Sequence, residues 1–247
     1  MALKKAKIAI VCDWLTNQGG AEKVILGLHQ LFPEAPIYTS MYNPEKVKGF
    51  EKATVYTSYL QNFPWAKTKH QLYLAFLPHV FEQFNFNEYD IVISSSHSCA
   101  KGIITKPETL HISYCHSPMR YAWEDSIGYI KSYEINPLIK KVAPFFVHKI
   151  RIWDRLSADR VDNFIANSHH VQQRIFKFYR KPSTVIYPFI ESKDFTVSSK
   201  RDNFFLAVGR ITPYKKFDLL VETFNDLGLP LKIVGEGVAR SKLQKIA

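Results

Sequence analysis

KIAIVCDWLTNQGGAEKVILGLHQLFPEAPIYTS, residues 7–40, decides the fold. Its first six residues are an apolar run rich in β-branched side chains, the composition of a buried strand. After Gly19-Gly20, Val24, Ile25, Leu28, Leu31 and Phe32 recur at helical spacing, and PIYTS (36–40) is a second strand. Strand, helix, strand in this length is one βαβ unit, which requires a parallel sheet. Outward from it the same alternation continues through DIVISSS (90–96), LHISYC (110–115), NFIANS (163–168), STVIYP (183–188), FFLAVG (204–209) and LKIVG (231–235). The fold class is therefore α/β, parallel sheets covered by helices.

ESKDFTVSSKRD (191–202) breaks the pattern, being polar, aperiodic and placed between Pro188 and a fresh strand. It reads as a linker between a domain over 1–190 and a second one beginning at 203. The remainder to 247 supplies a strand, a helix over 216–226, another strand and the start of a further helix, too little for an independent α/β domain. No internal repeat or low-complexity tract is present.

Composition narrows the function classes. The chain has 247 residues, 46% of them apolar, which suffices for a globular core. Cys12, Cys99 and Cys115 are odd in number, lie in apolar runs and have no CxxC spacing, so neither a disulfide framework nor a zinc site is expected. A reducing, cytoplasmic setting fits that usage. The N-terminal MALKKAKIAIVCDW holds only a short apolar run before Asp13, which reads as a strand rather than a signal peptide, and no window is long enough to span a membrane. Formal charge is +11; eleven Lys and Arg against four Asp and Glu between Lys131 and Lys181 account for +7 of it. That stretch faces either water or an anionic membrane surface, and no zinc finger, RNP-like strand or basic heptad supports nucleic acid.

VGRITPYKKFDLLVETFNDLGLPLKIVGEG (208–237) carries the chemistry most specifically. A strand ends at Gly209, cations follow, and an amphipathic helix leads to a second strand that closes on Gly235-Glu236-Gly237. Ligands of α/β sheets bind at such strand ends. Arg210 offers a planar fork suited to a phosphate, Lys215 a mobile point charge, and helix amides near Lys216 can help hold a diphosphate. Gly19-Gly20, followed by Ala21 and Glu22, is either a plain βα turn or a place where backbone approaches a ligand closely. In YCHSPMRYAWE (114–124), His116 stands at a strand end with Pro118 fixing the turn. Asp13, Arg120 and Ser96-Ser98 around His97 either line the same cleft or cap helices, and Ser168 caps the next helix.

Gly-Arg, then Pro, then Lys five residues past the arginine and Asp three further on, resembles the donor-phosphate motif of family 4 retaining glycosyltransferases, whose fold is GT-B, two Rossmann-like domains. The resemblance implies a nucleotide-sugar donor, GDP- or UDP-linked, with Arg210 and Lys215 neutralising the departing diphosphate so that no metal or other cofactor is required. Lys216 is the register alternative to Lys215. It further implies His116 in the sugar pocket, Gly19, Gly20, Gly209, Gly235, Glu236 and Gly237 on the donor, and Asp13, Glu22 and Arg120 on the acceptor side, within an acceptor-binding N-terminal domain. NPLIKKVAPFFVHKIRIWDRLSADRVDNFIANSHHV (136–171) resembles a mannosyltransferase subgroup of polysaccharide and lipid-linked glycan assembly, implying a glycan or lipid-linked acceptor. There Ile139, Val142, Phe146, Ile150, Trp153 and Leu156 form a helical stripe with Lys140, Lys141, Lys149, Arg151 and Arg155 beside it, either core or a peripheral face for the inner membrane surface. Family members also carry a pair of glutamates eight positions apart beyond the point this sequence reaches, so a truncated C-terminal domain is expected. The alternative is a non-catalytic module that binds acceptor or a partner.

Overall fold

The computed structural model describes residues 6–68, 70–124, 137–190, 192 and 195–247. The chain divides into two compact units, Met1–Phe189 and Ile190–Ala247.

In the first unit, strands β1 (Ile8–Cys12), β2 (Ile37–Thr39), β3 (Val55–Thr57), β4 (Ile91–Ser96), β5 (Leu110–Cys115), β6 (Asn163–Ala166) and β7 (Ser183–Val185) form one sheet, all parallel, in the order β3-β2-β1-β4-β5-β6-β7. Successive side chains on a strand point to opposite faces, and β1 shows both. Ile10 and Cys12 join Ile25 of helix α1 (Gly20–Leu31) and Ile37 in one cluster. Ala9 and Val11 join Leu77, Val80 and Phe81 of α2 (Leu77–Glu82) in another. Helices therefore cover both faces, which is why these strands are apolar runs and not alternating ones. A short α3 (Arg120–Trp123) follows β5, α4 (Pro137–Ser157) precedes β6, and α5 (His169–Tyr179) precedes β7. Ser168 caps α5, its Oγ accepting from the Val171 amide at 3.2 Å.

Three expectations need correction. β3 was not foreseen: it is a three-residue edge strand inside EKATVYTSY, too short to show a period. Most foreseen strands end one or more residues earlier than their apolar runs, because the residues beyond leave the ladder to build the loops at the sheet's edge. The stripe on α4 is out of phase. Ile150 is buried and Trp153 half-buried, yet Val142, Phe146 and Leu156 are each at least half exposed. The buried face runs instead through Val147, Ile150, Trp153, Asp154 and Ser157. Two of those five are polar, and they meet a buried lysine, Lys101, which hydrophobic spacing cannot anticipate. Residues 131–136 and the side chains of Ile139 and Lys140 lie outside the described residues.

The basic stretch is also less cationic than its formula. Arg160 pairs with Glu82 at 2.7 Å and Arg174 with Glu124 at 2.8 Å, both acids outside the stretch. Lys181 and Arg155 share Asp159. Cys12, Cys99 and Cys115 are buried thiols; burial pushes all three up, Cys115 to about 12. Among the described residues no helix is long and apolar enough to cross a membrane.

The second unit holds β8 (Phe205–Val208), α6 (Phe217–Leu227), β9 (Leu231–Val234) and a short α7 (Arg240–Leu243), with β8 and β9 paired in parallel. Ile211, Phe217, Val221 and Leu243 form its core, while Leu206, Val208 and Val234 are more than half exposed. A parallel pair is normally covered on both faces.

Candidate active site

Because all seven strands run the same way, their carboxyl ends share one edge, and the order reverses between β1 and β4. That switch point is where α/β sheets open a crevice for ligands. Asp13 and Trp14 follow β1, Ser95 and Ser96 end β4 with His97 next, and His116 follows β5.

Asp13 is almost fully buried and accepts three backbone N–H groups with its carboxylate: His97 at 2.7 Å and Ser98 at 2.9 Å on Oδ2, Ala100 at 2.7 Å on Oδ1. These bonds fix the turn after β4. His97 Nδ1 lies 3.2 Å from Asp13 Oδ2. Trp14 meets His97 edge-on at 4.6 Å and stacks on His70 at 4.3 Å, and His70 Nδ1 sits 3.2 Å from the Thr16 hydroxyl. His116 Nε2 is 2.8 Å from Ser95 Oγ, and its ring is 6.3 Å from that of His97.

Two of the imidazoles are held neutral for identifiable reasons. Burial and the neighbouring His97 push His116 down to about 4, with Asp13 opposing; burial and His97 do the same to His70, also to about 4. Both are neutral rings at physiological pH, able to hydrogen-bond a hydroxyl without adding a cation. The loop bearing His116 is held from α5: Arg174 donates to Ser117 Oγ at 2.5 Å and to the Pro118 carbonyl at 3.2 Å. Asn167 donates to the His116 carbonyl at 3.0 Å.

Gly19 caps α1 with extended backbone and Gly20 opens it; a Cβ on Gly20 would meet nothing within 4 Å. Packing therefore does not explain the glycine there. Glu22 is half-buried in the first turn of α1. Arg120 is exposed at the start of α3 and 3.7 Å from Glu124. Trp14, His70, Ser95 and Arg174 were missed by sequence reasoning. His70 lies 54 residues from Thr16, and no local period announces it.

In the second unit, Gly209 follows β8, and exposed Arg210 comes next, its guanidinium forming no bond among the described residues. A 3-10 turn (Pro213–Lys215) brings Lys215 and Lys216 to the start of α6, where both are exposed; Lys216, at φ 55°, is the cap. Gly235 and Gly237 also answer a local packing need. A Cβ on Gly235 (φ 156°) would overlap the Gly209 carbonyl oxygen, and one on Gly237 the Ile211 carbonyl oxygen. The two loops cross backbone to backbone, with Gly209 N–H donating to Val234 at 3.0 Å and Ile211 N–H to Glu236 at 2.8 Å. Glu236 itself is exposed and paired with Arg240. Among the described residues no group of three or more His, Cys, Asp or Glu is placed to hold a metal ion.

Solved structures and a family profile place this arrangement. Sucrose-phosphate synthase from Thermosynechococcus elongatus superposes with a TM-score of 0.61 at 12% identity, over 98% of this chain and 66% of its own. A point mutant of S. aureus TarM, in complex with Fondaparinux, alpha-GlcNAc-glycerol and UDP, gives 0.40 at 13% identity over 70% of this chain and 33% of its own. UGT89C1 of Arabidopsis thaliana, complexed with quercetin, gives 0.40 at 13% identity, over 95% and 69%. The chain thus spans a third of TarM and just under two thirds of the synthase. Comparison with curated protein sequences yields no match. The likeness to the synthase and the parallel seven-stranded sheet show an α/β fold of the GT-B type. The profile of Glycosyltransferase Family 4 matches residues 18–194, well over half the chain and inclusive of Gly19, Gly20 and His116, and the chain belongs to that family.

Proposed function

We propose that the chain serves a retaining glycosyltransferase that moves mannose from GDP-mannose, or another hexose from a nucleotide sugar, to a glycan or lipid-linked acceptor. The observation that carries this reading is the pair of exposed cations, Arg210 and Lys215, at the carboxyl end of β8 beside the start of α6. A departing nucleoside diphosphate develops charge there, and a guanidinium fork, an ammonium and helix amides are the groups that stabilise it without a metal. Neutral His116 fits a hydroxyl of the transferred sugar. Asp13 acts through the turn it caps, and Glu22 and Arg120 remain acceptor-side candidates. Calorimetry tests the donor half: GDP, UDP and GDP-mannose binding should weaken roughly 10- to 100-fold in Arg210→Ala, the worth of one hydrogen bond to a charged group. Absent or unchanged diphosphate binding sinks the reading. Labelled-donor transfer to membrane extracts tests the acceptor half.

A second reading, a non-catalytic module for acceptor or partner, is favoured by the half-covered β8–β9 pair. Glycan or lipid binding indifferent to Arg210→Ala, with no nucleotide binding, supports it.

We also propose a peripheral seat on an anionic membrane, at its inner, cytoplasmic face. Val142, Phe145 and Phe146 are at least half exposed on α4, flanked by exposed Lys141 and Lys149, whose ammonium lies 5.5 Å over the Phe145 ring. Aromatic side chains bounded by cations suit an acidic headgroup layer. Vesicles containing phosphatidylglycerol should sediment the chain, neutral phosphatidylcholine vesicles should not, and Lys141→Glu with Lys149→Glu should release it; equal binding to both vesicles overturns the proposal.

A further inference from the structure

The three imidazoles at the sheet's switch point are not equivalent. His70 and His116 each have a ring nitrogen beside a hydroxyl, Thr16 and Ser95 respectively. His97 alone faces a carboxylate. Asp13 is held so firmly by three backbone amides that it cannot turn away, and its Oδ2 lies 3.2 Å from Nδ1 of His97. A carboxylate only accepts hydrogen bonds, so the proton of a neutral His97 ring belongs on Nδ1. Nε2 is then a bare lone pair. It forms no hydrogen bond among the described residues, and the side chain is 35% exposed at the edge where ligands of such sheets bind. Trp14, edge-on at 4.6 Å, walls one side of the ring, and its own stacking on His70 keeps it in place.

We propose that His97, its Nδ1 facing the fixed carboxylate of Asp13, presents Nε2 as the hydrogen-bond acceptor for a non-reacting hydroxyl of the sugar acceptor, with Trp14 as the adjoining wall. This rests on the glycosyl-transfer reading above and adds the acceptor-binding group. His97 orients the hydroxyl by receiving its hydrogen bond; the bond made and the bond broken in transfer lie elsewhere. Asp13 is a positioning residue that acts through His97. The groups facing His97 are Asp13 and Trp14 from the end of β1, His70 from its 3-10 turn and His116 from the end of β5. Burial holds His70 and His116 neutral down to about 4.

Long-range proton–nitrogen NMR correlation of the imidazoles, assigned with single His→Gln variants, reads the tautomer directly. At mildly alkaline pH His97 should show a protonated Nδ1 and a bare Nε2, and Asp13→Asn should mix the two forms. Titration with methyl α-D-mannopyranoside, methyl α-D-glucopyranoside and methyl α-D-galactopyranoside as probe acceptors should move Nε2 of His97 with at least one of them. A proton on Nε2, or no response to any of the three, overturns the proposal. In transfer assays His97→Gln should raise the acceptor KM roughly tenfold, as for loss of one hydrogen bond in a site. It should leave kcat, nucleotide affinity and Tm as in the parent. A merely structural His97 would move Tm and leave the acceptor KM. If GDP-mannose and UDP-sugars bind and turn over but His97→Gln leaves the acceptor KM unchanged, this inference fails alone. If no nucleotide binds, the parent reading fails, and the NMR arms still decide the tautomer and the glycoside contact.

Discussion

Lys101→Met should destabilise the chain by about 3–5 kcal/mol, the usual consequence of stranding one member of a buried ion pair. Lys101 is 1% exposed and Asp154 0%. The ammonium donates to Asp154 Oδ1 at 2.5 Å, to the Asp154 carbonyl at 3.2 Å and to Ser157 Oγ at 2.9 Å, which uses all three of its protons. The other carboxylate oxygen accepts from Trp123 Nε1 at 2.6 Å and Tyr179 OH at 2.9 Å. Four segments meet there: the turn after β4, α3, α4 and α5. The aromatic rings of Trp153 and Tyr179, 5.4 and 5.1 Å from the ammonium, complete its surroundings. Methionine keeps the stem's volume but leaves a carboxylate with neutral donors only, in a site water cannot reach. Asp154→Asn should cost a comparable amount, and the double change Lys101→Met with Asp154→Asn should cost clearly less than the two added together, since it leaves no unpaired charge. Urea unfolding checks this; a Lys101→Met protein within about 1 kcal/mol of the parent would show that the pair is dispensable.

Gly235→Ala should unfold the second unit locally while the first remains intact. Two penalties coincide at that position. The φ of 156° is one that L side chains rarely adopt, and the added methyl would overlap the carbonyl oxygen of Gly209, a backbone atom that cannot swing aside. Relief requires the β9 loop to part from the β8 loop, which removes the Gly209–Val234 and Ile211–Glu236 hydrogen bonds and displaces Arg210 between them. The expected loss is on the order of 3 kcal/mol or more from strain and clash together. Amide hydrogen exchange would read it as lost protection over residues 205–243 with protection of residues 8–185 retained. Unchanged exchange in β8 and β9 would mean that the loops have room to separate.

The sequence makes the layered α/β plan legible because buried parallel strands are apolar runs, and those of 7–12, 90–96 and 110–115 are long enough to stand out. Edge strands such as Val55–Thr57 carry no such signal. The site is half legible. His116, Asp13 and the glycine pair sit beside strand ends, where chain order alone marks them. His70 reaches Trp14 only through folding. Lys101 in SCAKG reads as a surface cation, since nothing nearby reveals that Asp154, 53 residues later, will be buried against it. Gly235 and Gly237 are legible as glycines that some close approach requires, but spacing does not say whether a ligand or the neighbouring backbone is what approaches. The structure shows that the neighbouring backbone does approach.

The strand order also sets a sequence of events in synthesis. β1 pairs with β2 through Ile10 and Ile37, a short excursion of chain, but its other neighbour is β4, through Ile10 and Ile93. β1 therefore stays an edge strand, with one flank of amides and carbonyls unclaimed, until the ribosome has delivered residues through Ser96. Non-local parallel pairing is slow, and an unclaimed strand flank is a template for wrong partners in the meantime. The stretch between them holds Tyr59, Phe63, Trp65 and Phe76, which stay exposed even in the folded chain, so apolar surface is on offer in that same interval.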